Sequence, residues 1–158
     1  MGSLIAIDPG SVSGALAVFP HGNGRDTYAT DIAVVDKQVD AASLHHILIQ
    51  IKPDACVIEK AQPFPKQGVT GVFNYGVAFG LIRGVLASHG VPVHYVSSPV
   101  WKKSLGLIGK DAEASREMAI RLYPGASKDL NLKRHHNRAE ALLIGHWFLH
   151  YRGNPKKK

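Results

Sequence analysis

Four side chains that can bind metal ions or move protons stand at the ends of predicted core elements. Asp8 and Glu59 each close a short apolar run, and His136 and Glu140 open a final apolar helix. Residues four apart on a helix share one face, so His136 and Glu140 are expected one turn apart. Together these residues predict a cluster of three carboxylates and one imidazole.

Three carboxylates crowded into one cleft repel one another, and all of them ionise only when cations neutralise them. Two divalent ions about 3.5–4 Å apart would do this and would drive in-line phosphodiester cleavage. One ion would activate a water nucleophile, and the other would stabilise the leaving 3′ oxygen. Carboxylates suit Mg²⁺, and the imidazole of His136 also suits Mn²⁺. The residue set therefore predicts two Mg²⁺ or Mn²⁺ ions in one active site.

Taken singly, each of these residues also has a structural explanation. Asp8, which Pro9 and Gly10 follow, can cap a turn with its side chain. Glu140 suits the first turn of a helix because of the helix dipole. His136 is one of nine histidines and can be exposed and idle. What favours a functional site is the combination of four such groups at the ends of core elements.

The elements that must position these groups follow an α/β pattern. Leu4–Asp8 and Ala15–Phe19 predict a hairpin around the turn 11–14, and Ala55–Glu59 predicts another buried strand. Further strands are predicted at 27–35 and 91–96, helices at 41–51, 72–89, 111–122 and 136–151, and a short helix or turn from residue 97. This order predicts an α/β layered domain with a mixed sheet.

The predicted helix 72–89 carries three glycines on one face, namely Gly76, Gly80 and Gly84. Each glycine weakens a helix by about 1 kcal/mol relative to alanine. Three of them at this spacing indicate close backbone approach to a sheet, to another helix or to a second subunit. The sequence leaves these alternatives open.

The composition indicates one globular domain, which we assign to residues 1–152, followed by a basic tail at 153–158. The net charge of +7 favours a polyanionic partner, with nucleic acid ahead of an anionic membrane. No apolar run is expected to span a bilayer, and no secretory signal is evident. The single cysteine, Cys56, lies in a predicted core strand, so we expect a reduced intracellular protein.

The chain resembles the RuvC-type Holliday-junction resolvases of the RNase H-like superfamily, above all their phage, bacterial and plant-chloroplast branch. The shared motifs occur in the family's order and extend over most of the chain: Ile7-Asp8-Pro9-Gly10 with Gly14-Ala15, Ile58-Glu59 followed by Pro63-Phe64-Pro65, Tyr75-Gly76, Trp101-Lys102-Lys103, Gly109-Lys110-Asp111, and His136-Asn137-Arg138-Ala139-Glu140-Ala141-Leu142-Leu143. The last motif and the Trp-Lys pair are fairly specific. The resemblance implies an RNase H-like mixed sheet of about five strands, flanked by helices on both faces.

The resemblance also implies a homodimeric, metal-dependent endonuclease that places symmetric nicks in a four-way DNA junction. On this basis Asp8, Glu59 and Glu140 are predicted catalytic metal ligands. Much of the family has its last two ligands three residues apart, whereas here Asn137 stands three before Glu140. Either Asn137 or His136 could approach the second metal, and we favour His136 as the fourth ligand because imidazole is the better ligand. The expected location is the cytoplasm of a bacterial or phage-infected cell, and an origin in an organelle is an alternative. The sequence leaves open whether a helicase partner is required.

Basic and aromatic residues gain DNA-binding roles from the same resemblance. Lys102, Lys103 and Lys110 are similar to phosphate-contacting lysines of the family, and Lys102 and Lys110 are the candidates for stabilising charge on the scissile phosphate. At least one of the three can instead be a solvated loop lysine. Phe64 is expected either to stack on bases at the junction centre, worth about 1–3 kcal/mol per base, or to tuck into the domain. Further contacts to backbone phosphates are expected from Lys66, Lys133, Arg134 and Arg138.

Three alternatives to junction cleavage differ in how well they suit the sequence. A nuclease of the same fold can act on RNA–DNA hybrids or on other branched DNA. A non-catalytic junction-binding protein is the second alternative, because Asn137 is not acidic. An actin-like ATP-binding protein also begins with a strand, an aspartate and a glycine turn, but it needs two such domains, for which 158 residues are too few.

Overall fold

The computed structural model describes residues 2–10, 14–60, 62 and 65–153. The strands are β1 (Leu4–Asp8), β2 (Ala15–Phe19), β3 (Tyr28–Asp31), β4 (Val34–Val35), β5 (Gln38–Val39), β6 (Ala55–Glu59) and β7 (Val93–Val96). The α-helices are α1 (Ala41–Ile51), α2 (Val69–Ser88), α3 (Ser98–Ser104), α4 (Ala112–Leu122) and α5 (His136–His150). Two 3-10 helices, Pro124–Leu130 and Lys133–His135, join α4 to α5.

Five strands form one mixed sheet in the order β3-β2-β1-β6-β7. β2 is antiparallel to β1 and β3, whereas β6 is parallel to β1 and β7. β1 and β6 pair Ile7 with Ile58, so Asp8 and Glu59 follow this pair at one edge of the sheet. The predicted mixed sheet of about five strands is confirmed.

The sheet has a hydrophobic core on each face because successive strand residues point to opposite sides. Ala6 and Val57 belong to the core that α4 and α5 cover. Ile5 and Ile58 belong to the other core, which contains the buried residues of α1 and α2. The expected arrangement of helices on both faces is therefore confirmed. Cys56 is fully buried in the second core, as predicted.

Helix α5 lies against the sheet with almost no gap at Gly145. A Cβ atom built there would collide with the ring of Phe19 and would lie 3.1 Å from the Cβ of Ala6. The neighbouring helix residues Leu142 and Ile144 are fully buried. The missing side chain at position 145 thus lets α5 pack directly on β1 and β2.

Helix α2 is packed along one side only. Its buried residues are Ala78, Ile82 and Leu86, which face the core shared with α1. The opposite side is an exposed stripe, made of Val69, Val72, Phe73, Gly76, Gly80, Arg83, Gly84 and Ala87. No atom of the described residues comes within 4 Å of a Cβ built at any of the three glycines of this stripe. Close approach to a sheet or helix of the same chain therefore does not explain the glycine spacing within the described part.

The length and composition of α2 are also sufficient for a helix that crosses a membrane, with 17% of the stretch buried. The expectation that no apolar run is long enough to span a bilayer is wrong by length and composition. The three glycines and Arg83 interrupt the apolar sequence, but the helix continues through them. One helix of this kind is weak grounds for a membrane span, since helices of soluble proteins pass the same test.

The predicted strand 27–35 is divided into two pieces in the structure. β3 ends at Asp31, and the backbone N–H of Ile32 then donates to the carbonyl of Gly14 at 2.9 Å. The next residues form a separate hairpin of β4 and β5, whose turn residues Asp36 and Lys37 have φ values of 49° and 62°. Two left-handed residues in a two-residue turn suit a tight hairpin, so this segment folds on itself and leaves the main sheet.

The other predicted elements differ mainly at their ends. α1 has the predicted bounds, and the side chain of Asp40 caps it by accepting from the N–H of Ala42. Asp111 caps α4 rather than lying inside it, because its carboxylate accepts from the N–H of Ala114. α2 begins at Val69 rather than at residue 72. The polar stretch 127–135, for which no element is predicted, is largely 3-10 helix.

Candidate active site

The three predicted acidic ligands meet at the edge of the sheet where β1 and β6 end. Asp8 continues the strand face of Ala6, and Glu59 continues that of Val57, so both carboxylates leave the sheet on the side of α5. Glu140 comes from the first turns of α5, and its charge acts on both Asp8 and Glu59. Three segments that are distant in sequence thus bring their carboxylates together.

Asp8 is the most buried of the three acids, with 6% of its surface exposed. Burial raises its pKa well above the usual range for aspartate, and the charges of Glu59 and Glu140 add to the rise. The backbone N–H of Gly10 donates to Asp8 and acts in the opposite direction, as does the charge of Lys102. The proton is therefore held on Asp8 more tightly than in water, because its charged form lacks solvent and faces two other acids.

The turn after β1 depends on a glycine. A Cβ built on Gly14 would lie 2.7 Å from the carbonyl oxygen of Asp8 and would also collide with Pro9. Only a residue without a side chain lets the returning strand pass so close to the Asp8 backbone. The predicted turn residues 11–13 lie outside the described residues.

Glu59 is held by the indole of Trp101. The Trp101 Nε1–H donates to Glu59 Oε2 at 2.7 Å, and Trp101 is fully buried. Burial raises the pKa of Glu59, the charge of Glu140 adds to the rise, and the indole hydrogen bond and Lys102 oppose it. Sequence reasoning used Trp101 only as a motif residue; a tryptophan directly before a site lysine, at the start of a short helix, was the available signal.

Glu140 forms an ion pair with Lys102. Lys102 Nζ lies 3.4 Å from Glu140 Oε1, and the two side chains are 29% and 16% exposed. The same ammonium lies 5.2 Å from the centre of the Trp101 ring. Since Lys102 also acts electrostatically on Asp8 and Glu59, one ammonium faces the entire acidic cluster.

Tyr75 is a further residue at this site, which the sequence reasoning used only as a motif residue. Burial raises its pKa, and the charges of Glu59, Asp8 and Glu140 add to the rise, so the phenol stays protonated beside the acids. Its position extends the buried face of α2 by one turn beyond Ala78. A tyrosine that continues a core stripe toward the end of a helix was the signal that could have identified it.

Donor chemistry and present geometry give different answers on whether this site fits a divalent metal ion. Three carboxylates at one site are hard oxygen donors that cations would neutralise. Yet in the part of the chain that the structure describes, no three His, Cys, Asp or Glu side chains are arranged to hold a metal ion. Two of the three acids are engaged with Trp101 and Lys102 instead. The donor set therefore fits a metal in its chemistry, and binding requires these side chains to turn.

The fourth predicted ligand lies at the start of the helix that carries Glu140. His136 is half-buried at the first position of α5. Asn137 is also half-buried. The choice of His136 stays a prediction.

The predicted DNA-contacting lysines and arginines differ in their surroundings. Lys102 alone pairs with a site acid, whereas the others have exposed side chains: Lys66, Lys103, Lys110, Lys133 and Arg134. Lys66 adopts a left-handed backbone with φ of 66° in the segment before α2. Phe64 and the tail 154–158 lie outside the described residues. The DNA-binding roles of these residues stay predictions.

Arg138 is occupied within the chain. Its Nε and Nη2 donate to the two carboxylate oxygens of Asp31 at 2.8 and 2.9 Å, and Nη1 donates to the carbonyl of Asp129 at 3.0 Å. This contact lowers the pKa of Asp31, mainly through the hydrogen bonds. The geometry ties the start of α5 to β3, which competes with the predicted contact to a DNA phosphate.

Among solved structures, the chain resembles a RuvC bound to DNA. The structure of T. thermophilus RuvC in complex with a Holliday junction substrate superposes with a TM-score of 0.67, at 21% identity, over 97% of each chain. A likeness at this identity defines the fold. The chain therefore has the RNase H-like α/β fold of the RuvC-type resolvases, as predicted.

Two curated relatives support the same resemblance at the level of sequence. The chloroplastic Holliday junction resolvase MOC1 of Chlamydomonas reinhardtii is 40% identical over 83 residues, which cover 51% of this chain and 9% of that protein. The crossover junction endodeoxyribonuclease RuvC of Corynebacterium glutamicum is 29% identical over 117 residues, covering 68% of this chain and 52% of the relative. No family model matches the chain. The resemblance to RuvC-type resolvases, including the chloroplast branch, is confirmed, and the chain spans about half the length of the RuvC proteins it matches.

Proposed function

We propose that this chain is a metal-dependent, structure-selective endonuclease that resolves four-way DNA junctions by paired symmetric nicks. The observation that carries the proposal is the meeting of Asp8, Glu59 and Glu140 at one sheet edge, with Lys102 facing all three. The names of the relatives, a crossover junction endodeoxyribonuclease and a Holliday junction resolvase, support the choice of substrate. Those relatives are bacterial and chloroplastic, which fits an intracellular protein that acts on DNA.

In this proposal Asp8, Glu59 and Glu140 hold two Mg²⁺ or Mn²⁺ ions, with His136 as an added ligand. The ions would supply an activated water and neutralise charge at the leaving 3′ oxygen. The chain's own contribution is to orient the three carboxylates from three rigid elements and to keep them desolvated. Lys102 would contact the scissile phosphate as a point charge, and Tyr75 would be a neutral hydrogen-bond donor beside it.

The deciding experiment is cleavage of a synthetic immobile four-way junction, with nicks mapped on all four strands. We expect paired nicks at symmetric positions with Mg²⁺ or Mn²⁺ and none with EDTA. Linear duplex, flap and RNA–DNA hybrid substrates of equal length serve as comparisons. Equal cleavage of flaps or hybrids would indicate that the enzyme acts on other branched DNA or on hybrids rather than selectively on junctions. Tight junction binding without any cleavage would indicate a non-catalytic binding protein.

We further propose that the active form is a homodimer joined through the exposed stripe of α2. Two coordinated nicks need two active sites, and the stripe is apolar, glycine-rich and uncovered in the described chain. A groove of about 510 Å³ runs beside it, lined by Gly80, Arg83, Gly84, Ala87, Val91, Val93 and Tyr95. Glycines let two helix backbones approach closely, so a second copy of α2 is the occupant that suits this surface.

Sedimentation, with and without junction DNA, tests the dimer directly. Without DNA we expect a species of twice the mass of the 17.1 kDa chain, and with DNA we expect two chains bound to one junction. A monomer under both conditions would contradict the proposal, and the α2 surface would then need a different partner.

A further inference from the structure

We propose that Lys102 is an internal cation that keeps the acidic cluster closed to metal, and that a DNA phosphate releases it. This inference rests on the proposed nuclease function and adds a regulatory step to the same site. Lys102 Nζ lies 3.4 Å from Glu140 and acts electrostatically on Asp8 and Glu59 as well. The ammonium thus supplies one positive charge to a cluster of three acids, which neutralises the cluster in part.

Trp101 completes the closed arrangement on the other side of the cluster. Its buried indole donates to Glu59 at 2.7 Å, and its ring lies under the Lys102 ammonium at 5.2 Å. Trp101 and Lys102 are adjacent in α3. Trp101 therefore holds Glu59 by a hydrogen bond, and Lys102 holds Glu140 by an ion pair. This explains why the described acids meet at one edge and yet are not arranged to hold a metal ion.

Lys102 is able to leave this position because its side chain is 29% exposed. A phosphate of bound DNA also forms charge-assisted hydrogen bonds with an ammonium, so it can compete with Glu140 for Lys102. When the ammonium moves to the phosphate, Glu140 is free to turn toward the metal position. Metal loading and DNA binding are then coupled, and linkage requires each to strengthen the other.

The test measures Mn²⁺ binding by electron paramagnetic resonance in the wild type, in Lys102→Met and in Lys128→Met. Methionine keeps the packing over Trp101 but removes the charge. Without DNA we expect Lys102→Met to bind Mn²⁺ about tenfold more tightly than wild type, because the competing charge is lost. Lys128 is an exposed lysine of the 3-10 helix Pro124–Leu130 with no proposed DNA contact, so Lys128→Met is the control and should leave the Mn²⁺ affinity unchanged.

A second readout follows the indole itself. The chain has two tryptophans, so Trp147→Phe leaves Trp101 as the only one. Adding Mg²⁺ should shift the Trp101 emission as Glu59 leaves the indole, and in the Lys102→Met background the shift should occur at about tenfold lower Mg²⁺. An emission that Mg²⁺ does not change would overturn the role of Trp101.

Junction DNA is added in a final set of titrations, with the Mn²⁺ uptake of DNA alone subtracted. The wild type should gain Mn²⁺ affinity when DNA is present, and Lys102→Met should gain little. Equal or weaker Mn²⁺ binding by a folded Lys102→Met without DNA would overturn the proposal; Lys102→Gln replaces it if that variant does not fold. If Lys102→Met tightens Mn²⁺ but the wild type cleaves no junction, the nuclease proposal fails and the internal cation stands.

Discussion

The acidic edge of the sheet and the outer stripe of α2 present opposite kinds of unsatisfied surface. At the edge, Asp8 is a charged group deprived of water, whereas along α2, Phe73 is an apolar group left in water at 68% exposure. The first lacks enough opposite charge, and the second lacks a packing partner. Each region is unfavourable in the isolated chain, and this is the basis for proposing cations and DNA as partners of the edge and an apolar helix as the partner of α2.

Asp8→Asn should have the largest effect on cleavage, because it removes a proposed metal ligand from the acidic edge and leaves α2 unchanged. Cleavage of a four-way junction is expected to fall by at least about a hundredfold, since losing even an outer-shell partner of a metal ligand costs 10–100-fold. Junction affinity in a gel-shift assay should stay near wild type because the phosphate contacts remain. Asp36→Asn in the exposed β4–β5 turn is the matched control, and undiminished nicking by Asp8→Asn would remove Asp8 from the metal site.

Gly80→Gln should disrupt the dimer contact along the outer stripe of α2 and leave the acidic edge intact. A Cβ at Gly80 meets no described atom within 4 Å, so the monomer should fold as before, with up to about 1 kcal/mol of added helix stability. The dimer should dissociate because the new side chain separates the helices, which sedimentation will detect. Thr70→Gln, also exposed on α2 but outside the stripe, should remain dimeric. A dimeric Gly80→Gln would locate the interface elsewhere.

The acidic edge should also make stability depend on pH. The pKa of Asp8 is raised in the folded chain, so the folded state binds the proton more tightly and loses stability as pH rises above the ordinary aspartate pKa. In EDTA, Asp8→Asn is therefore expected to melt at a higher temperature than wild type, by a margin larger at pH 7.5 than at pH 4. A constant margin across this range would mean that charge at the edge does not oppose folding.

Arg138→Gln should have the smallest effect and marks a charged group that the chain satisfies by itself. Losing the paired hydrogen bonds to the half-exposed Asp31 and the bond to the Asp129 carbonyl should cost about 1 kcal/mol of unfolding free energy. The salt dependence of junction binding should stay unchanged. A slope of log affinity against log salt that falls by about one would instead assign Arg138 to a phosphate.

Strand patterns and strand ends could be predicted well because their signals are local. The runs before Asp8 and Glu59 define both strands, and the alternation of buried residues places both acids on one face. The segment 27–35 could not be predicted, since its division depends on a hydrogen bond from Ile32 to the distant Gly14. The exposure of α2 was equally hidden, because apolar spacing does not say which face lacks a partner.

The candidate site was predictable in its acids and less so in their partners. Asp8, Glu59 and Glu140 stand at recognisable element ends, and the family resemblance joins them. The contacts of Trp101 with Glu59 and of Lys102 with Glu140 depend on how α3 packs beside β6 and α5, which no sequence spacing encodes. Tyr75 was missed for the same reason, since its neighbours belong to three other elements.

The lack of a side chain at Gly145 influences the position of Glu140 from a distance along α5. Gly145 is five residues beyond Glu140, about 7.5 Å along the helix axis. A methyl group there would act as a spacer between α5 and the ring of Phe19 and would tilt the whole helix outward. Glu140 would then move away from Asp8 and Glu59, so the spacing of the three acids depends on the absence of a side chain at position 145.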